Sequence, residues 1–421
     1  MVGMLLCSGP LLLGAQELVS RSHGGGDAFL AFLAHPMLAL LLIQAAYFGV
    51  ETWCWLGYRP FTAPEGAPLP RLSVIIPAFN EGPMVERSIL SVAAADYPHD
   101  LLEILVVDDG SRDDTFFHME SIRRRLPDLV RLIRFRGNRG KRAALYEGFK
   151  AARGEIVLTL DSDSEMERGT LRAMVAPFQR DAAVGAVAGR VTVLNRDNVI
   201  GAMLDVNYAL TFDFGRAAQS TFRAVACCPG ALSAFRLAVI RPHLLEWLDQ
   251  RFLGRPVAHG EDQALTNVVL RSGYDTVYQR TAIIRTLAPS SYRQLTRMFL
   301  RWDRSFVVEG FAFGRFMFKR YRPRRRLMPA VHFLMGNLRL ALLYLGLLDL
   351  PGAIVQNPVV ALRVAGGILV AALFTAVYYL RSDRSYRFLW GVAYAFYSAL
   401  LLQWILPWAI ITVRDDRWGT R

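Results

Sequence analysis

Lysine is nearly missing from this chain. Only Lys141, Lys150 and Lys319 occur among 421 residues, so the basic surface is made of arginine and a lysine in any one place is not routine filler. Cysteine is scarce as well. Cys7, Cys54, Cys227 and Cys228 form no C-x-x-C pair and no Cys/His spacing, which excludes a disulfide framework and a structural zinc module. They read as reduced thiols, with the adjacent Cys227 and Cys228 as packing residues. No G-x-x-x-x-G-K-S/T pattern is present, so the chain is not a P-loop protein. The basic start and small-residue cleavage site of a secretory leader are not evident.

Apolar sequence and arginine are what the chain has in quantity. It is 53% hydrophobic, too apolar for an ordinary soluble enzyme, yet 20% charged, too polar for a protein wholly within a membrane. Hydrophobic spans around a water-soluble region satisfy both. Phe29 to Val50 is an almost unbroken apolar run, and a crossing needs roughly 20 residues. Met4 to Ala15 is short for that and reads as an interfacial piece or a marginal span. Near the carboxyl end, Met328–Leu350, Val359–Leu380 and Phe388–Val413 are three more candidates.

Charge orients these spans. The net charge is +13, and its densest basic run, Arg315–Arg326, sits directly before an apolar stretch, as a juxtamembrane anchor facing anionic lipid does. Arg381–Arg387 carries three more arginines, while Pro351–Pro358 carries no charge. The positive-inside rule places both basic segments in the cytoplasm and with them everything from Arg59 to Arg326. Arg414, Arg417 and Arg421 then fall outside, against the rule. Clustering of the basic residues at membrane margins argues against a nucleic-acid partner. The expected layout is a spanning region at 1–58, a cytoplasmic domain at 59–290, interfacial amphipathic helices at 291–327, and three spans with a short tail at 328–421.

The cytoplasmic region alternates short β-rich runs with helical ones. Leu72–Pro77, Glu103–Val107 and Glu155–Leu160 read as strands; Met84–Ala95, Asp114–Leu126 and Lys141–Arg153 have helical apolar spacing. This predicts an α/β fold with a mostly parallel, doubly wound sheet and helices on both faces. Ligands bind beyond the carboxyl ends of strands in such sheets. Asp108-Asp109-Gly110-Ser111 follows the second strand and Asp161-Ser162-Asp163 a later one. Either is an ordinary turn by itself. Together they place four carboxylates on one sheet edge, a concentration that calls for a divalent hard cation, Mg²⁺ or Mn²⁺, bridging a nucleotide diphosphate.

Gly140-Lys141-Arg142 opens a helix, where amides and basic side chains suit a phosphate. Gly260-Glu261-Asp262 precedes the helix-like run Ala264–Leu270 and reads in isolation as a cap with an acidic first turn. Arg301-Trp302 lies in Tyr292–Arg320, an aromatic, arginine-rich stretch with the character of an interfacial helix. Arginine suits a diphosphate and tryptophan offers a flat face for a sugar.

In this order the motifs resemble the processive members of glycosyltransferase family 2, which include hyaluronan synthases, nodulation chitooligosaccharide synthases and cellulose synthases. The series is P-A-F-N-E at Pro77–Glu81, D-D-G-S at Asp108, G-K-R at Gly140, D-S-D at Asp161, G-E-D at Gly260 and R-W at Arg301. R-A-A-Q-S at Arg216–Ser220 and C-C-P-G-A-L at Cys227–Leu232 are similar to the hyaluronan and chitooligosaccharide branch. The resemblance implies a GT-A type fold, a multi-pass inner-membrane location, and inverting transfer of sugar from a UDP-sugar donor, UDP-N-acetylglucosamine by branch, to a growing β-linked glycan. It implies that Pro77, Phe79, Glu81, Asp108 and Asp109 frame the uridine and that Lys141 approaches the diphosphate. Asp161 and Asp163 form the metal site, Asp262 is the general base with Glu261 beside it, and Arg301 and Trp302 hold diphosphate and acceptor. Alternatives are a β-glucan synthase using UDP-glucose, a non-processive transferase acting on lipid, and a nucleotide-binding assembly protein. One departure stands out: the family pattern is Q-x-x-R-W, and Met298 holds the first position here, with Gln294 one turn earlier.

Overall fold

The computed structural model describes residues 36–322, 326–383 and 385–415. The expected interfacial piece Met4–Ala15, the first residues of the Phe29–Val50 run, and Arg417 and Arg421 lie outside them. In chain order the helices are α1 (Pro36–Gly57), α2 (Met84–Ala93), α3 (Thr115–Arg125), α4 (Lys141–Ala151), α5 (Thr170–Arg180), α6 (Val199–Tyr208) and α7 (Gly215–Thr221). They continue as α8 (Leu237–Ile240), α9 (Leu244–Leu248), α10 (Glu261–Arg271), α11 (Tyr292–Phe316), α12 (Leu327–Gln356), α13 (Val359–Asp383), α14 (Phe388–Leu401) and α15 (Ile405–Ile411). The strands are β1 (Leu72–Ala78), β2 (Leu102–Asp108), β3 (Val130–Arg134), β4 (Ile156–Leu160), β5 (Ser164–Met166), β6 (Val184–Val193), β7 (Leu232–Arg236), β8 (Arg251–Phe252), β9 (Arg255–Pro256) and β10 (Asp275–Thr286).

Eight strands form one sheet in the order β3-β2-β1-β4-β7-β6-β10-β5, with β8 and β9 a separate hairpin. The first four are parallel to one another, and every residue of β1 and β4 is buried, so both faces of the sheet are covered there. The other half is mixed. β7 runs antiparallel to both β4 and β6, β10 is parallel to β6, and β5 is antiparallel to β10. One core layer lies under α2, α3 and α5, and the other packs α4 against β1 and β2, with Phe149 in edge contact with Phe235 and Trp247.

Among the described residues, α12 and α13 are long and apolar enough to cross a bilayer, and α14 with α15 makes a third candidate bent by 46°. The sequence reads Phe388–Val413 as continuous; Pro407 explains the break. Proline has no N–H to donate to the carbonyl four residues earlier and its ring crowds that carbonyl. The helix stops at Leu401 and resumes at Ile405, and the Gln403 carbonyl accepts instead from the Tyr344 hydroxyl of α12 at 3.0 Å. The helix α12 runs on through Pro351 to Gln356, leaving only Asn357 and Pro358 between it and α13.

The helical segments flanking the sheet are tied to it. Tyr58 donates to the Tyr278 carbonyl of β10 at 2.9 Å, and Tyr47 of α1 and Gln219 of α7 each bond a ring nitrogen of His332 of α12, at 2.7 and 3.0 Å.

Candidate active site

The carboxyl ends of β1, β2 and β4 open onto a cavity of about 320 Å³, lined by Pro77, Phe79, Asn80, Glu81, Asp109, Asn138, Gly140, Lys141, Asp161, Asp163 and Arg301 among others. Eight of the residues singled out from sequence therefore meet in one cleft.

The D-D-G-S loop is built from within. Asp108 is wholly buried under the cleft floor; its Oδ1 accepts the Ser111 N–H at 2.8 Å, and its carboxylate pairs with Arg134 at 3.2 Å. Asp109 accepts the N–H groups of Arg139 and Gly140, at 2.7 and 2.9 Å. Burial, partly offset by those amides, pushes its carboxyl above the ordinary value. Gly110 has φ +75°, and a Cβ there meets the Gly137 carbonyl carbon at 2.5 Å. Gly110→Ala is therefore expected to destabilise the fold by about 1–3 kcal/mol through strain and displacement of the 137–138 turn; thermal unfolding checks this.

Lys141, the first residue of α4, lies at the centre of the charge. Its Nζ donates to Asp161 Oδ1 at 2.5 Å and pairs with Glu261 Oε1 at 3.1 Å. Burial works against its charge, and the carboxylates of Asp161, Glu261 and Asp262 outweigh it, holding the ammonium well above its ordinary pKa. Arg142, read from sequence as a second phosphate-facing cation, turns the other way: it is buried and donates to the carbonyls of Trp247 and His259 and to Gln250 Oε1.

Asp262 sits in the first turn of α10. Its Oδ2 accepts the Gly230 N–H at 2.9 Å and its Oδ1 the Gln263 N–H at 2.8 Å. Burial first, then the neighbouring Glu261 charge, raise its carboxyl above the usual range, against the pull of Lys141. Cys227 Sγ lies 3.8 Å from Asp262 Oδ2, so this thiol faces the site while Cys228 packs in the core. Asp163, just ahead of β5, accepts from Thr286 Oγ1 at 3.1 Å.

Trp302 is 39% exposed and stands apart from the cavity lining, ringed by Phe299 (5.5 Å), Phe212 (5.8 Å) and Tyr208 (6.2 Å). Met298 is buried beside it with the Tyr208 hydroxyl 3.6 Å from its sulfur. Gln294 does not replace the missing glutamine: its side chain accepts from Ser290 at the start of α11. Sequence reasoning missed Asn138, Tyr208 and Phe212, and quoted Gly230 within C-C-P-G-A-L without giving it a role. The aromatics have a signal in hindsight, the run N-Y-A-L-T-F-D-F, but nothing in it names Trp302 as partner.

Among the described residues, no three or more His, Cys, Asp or Glu side chains gather as a metal cage. Asp161 and Asp163 at one cleft edge suit a cation of the Mg²⁺ type, which commonly takes one or two carboxylates with the remainder from phosphate and water.

An eight-stranded mixed sheet of this order, with acidic loops at the carboxyl edge, defines a GT-A type glycosyltransferase. The chain belongs to glycosyl transferase family 2, whose model matches residues 73–244. It is similar to an N-acetylglucosaminyltransferase of Azorhizobium caulinodans, 32% identical over 84% of this chain and 87% of that one. A hyaluronan synthase of Streptococcus pyogenes serotype M1 is 30% identical over 86% of each. Among solved structures, a mannosyltransferase from Pyrobaculum calidifontis in complex with GDP-Man and Mn²⁺ superposes with a TM-score of 0.59 at 24% identity, covering 86% of this chain and 98% of that one.

Proposed function

We propose that this enzyme transfers N-acetylglucosamine from UDP-N-acetylglucosamine to the end of a growing β-linked glycan, at the cytoplasmic face of the inner membrane. The observation that carries the reading is the Lys141 ammonium held between Asp161 and Glu261 beside Asp262, a cation and a base at one cleft edge. The donor sugar is supported by the similarity to an N-acetylglucosaminyltransferase over most of the chain.

In the reaction Asp262 accepts the proton of the acceptor hydroxyl. That oxygen bonds to the donor's anomeric carbon from the face opposite UDP, the bond to the diphosphate oxygen breaks, and UDP leaves with the electron pair. The α-linked donor thus yields a β-linked product. Lys141 and Arg301 offset the charge that develops on the diphosphate. Asp161 and Asp163 would hold Mg²⁺ or Mn²⁺, which supplies electrostatic stabilisation of that leaving group. Chelation with EDTA is expected to lower transfer by about a hundredfold or more, restored by Mn²⁺ or Mg²⁺.

Pro77, Phe79, Glu81 and Asp109 line the part of the cleft assigned to uridine. Asp108 acts there by bracing the loop. In this reading residues 59–290 form the catalytic unit, α11 lies at the membrane surface, and the positive-inside rule assigns Arg381–Arg387 to the cytoplasmic side.

The test is purified full-length protein in lipid nanodiscs with single UDP-sugars and pairs, followed by mass analysis. UDP-N-acetylglucosamine alone is expected to give a homopolymeric ladder. Product only with a second, uronic donor would identify a hyaluronan-like chain, and product only with UDP-glucose would replace this reading by a β-glucan synthase.

A further inference from the structure

Between α6 and α7 the chain makes a π-helical turn, Ala209–Phe214. Such turns are uncommon and recur at functional sites. A buried aspartate stands close to each end. Asp205 is paired with Arg196 at 3.1 Å and accepts from the Tyr379 hydroxyl at 2.8 Å; Asp213 is paired with Arg280 at 2.7 Å and accepts from the Tyr378 hydroxyl at 2.6 Å. The arginines belong to the α/β unit. The tyrosines, both buried, are neighbours on α13, a candidate span.

The same segment has two aromatic faces. Phe214 packs on Trp55 of α1 and on Phe374 and Tyr378 of α13. Phe212, with Tyr208 one turn before, packs on Trp302. The π turn is thus a bracket with one side fastened to α13 and the other under the tryptophan.

We propose that Tyr378 and Tyr379 are positioning residues for the acceptor subsite: through Asp213 and Asp205 they hold the π-helical bracket that supports Trp302, so that acceptor binding depends on a membrane helix. This rests on reading Trp302 as the acceptor platform. Two adjacent side chains of an α-helix point about 100° apart, and each finds its own aspartate. The pair therefore fixes rotation as well as distance, which a single hydrogen bond does not.

The test uses the full-length protein in nanodiscs with UDP-N-acetylglucosamine as donor and the β-1,4-linked N-acetylglucosamine tetramer as acceptor. In the double variant Tyr378→Phe, Tyr379→Phe, Arg196 and Arg280 still neutralise both aspartates, so the fold is expected to persist. The KM for acceptor is expected to rise about tenfold, the loss of hydrogen bonds to charged groups, with donor KM unchanged and shorter products. Backbone hydrogen exchange across 209–214 is expected to quicken about tenfold by the same argument.

Unchanged exchange and unchanged acceptor KM overturn the proposal, as does an equal rise in donor and acceptor KM, which marks a general structural role. Trp302→Ala in parallel separates the two readings. If it leaves acceptor KM unaltered, the acceptor role of Trp302 falls. If it raises acceptor KM and the tyrosine variant does not, the positioning role alone falls. Should the double variant fail to fold, the single variants, each keeping one tyrosine, are measured against the same criteria.

Discussion

Asp262→Asn is expected to lower glycosyl transfer by about 10²–10⁴-fold, the ordinary contribution of a general base, and to leave UDP binding intact. The side chain is held in place by the Gly230 and Gln263 amides, so asparagine keeps the shape and loses only the basicity and one accepted hydrogen bond. The pH profile carries a second signature. Burial and Glu261 raise the Asp262 carboxyl above the usual range. A base works only when ionised, so transfer is lost as pH falls through that raised value, and the acid limb of kcat/KM lies above where a free carboxylate would put it. The variant should lose that limb. Wild-type turnover in Asp262→Asn, with UDP titrated calorimetrically as a folding control, removes Asp262 from the role.

Lys141→Ala is expected to cost about 10²–10³-fold in kcat, comparable to removing one preorganised donor from a developing oxyanion. It also leaves Asp161, Glu261 and Asp262 facing one another without their cation. The cluster is partly exposed to the cleft, so loss of its cation is expected to destabilise by about 1–3 kcal/mol, less than for a fully buried pair. The sign of its pH dependence follows from Glu261, whose folded pKa is depressed chiefly by Lys141 working against burial. That stabilisation is present at neutral pH and lost as pH falls through the depressed value. Parent and variant should therefore differ most at neutral pH and converge in acid, which thermal unfolding across pH will read. Lys141→Arg is not expected to restore full activity, because a planar guanidinium fork does not reproduce the compact point charge that the ammonium places between Asp161 and Glu261. A Lys141→Ala enzyme of parental kcat would show the ammonium to be structural alone.

The sequence made half of the sheet readable. β1, β2 and β4 are mainly apolar runs, with Asp108 ending β2 and Asp161 following β4, and strands buried on both faces have little other appearance. The strand β7, L-S-A-F-R, is short and ordinary, and its antiparallel insertion between β4 and β6 is a matter of long-range pairing that local pattern does not encode. The cleft was readable for the same reason as the strands, since its residues are the polar ends of those runs. Direction was not. Lys141 and Arg142 are consecutive cations at a helix start, and only packing against Trp247 and Gln250 decides that the second faces inward. Asp108 and Asp109 divide likewise, one to the floor and one to the rim. The break in the third candidate span has a sequence cause in Pro407, but hydropathy averages over it.

The hydrogen bonds that join the sheet to the flanking helices bear on how the protein is made. Tyr58 reaches β10 across 220 positions, and Tyr47 and His332 meet across 285. During synthesis α1 and the segment after it must wait for at least 220 further residues before these partners exist. At about 5–20 residues per second the interval is on the order of ten seconds or more, during which α1 stands without α12 and the sheet lacks its last long strand. A catalytic region expressed without its flanking helices would complete the sheet but leave Gln219, Asp205 and Asp213 deprived of their His332, Tyr379 and Tyr378 partners.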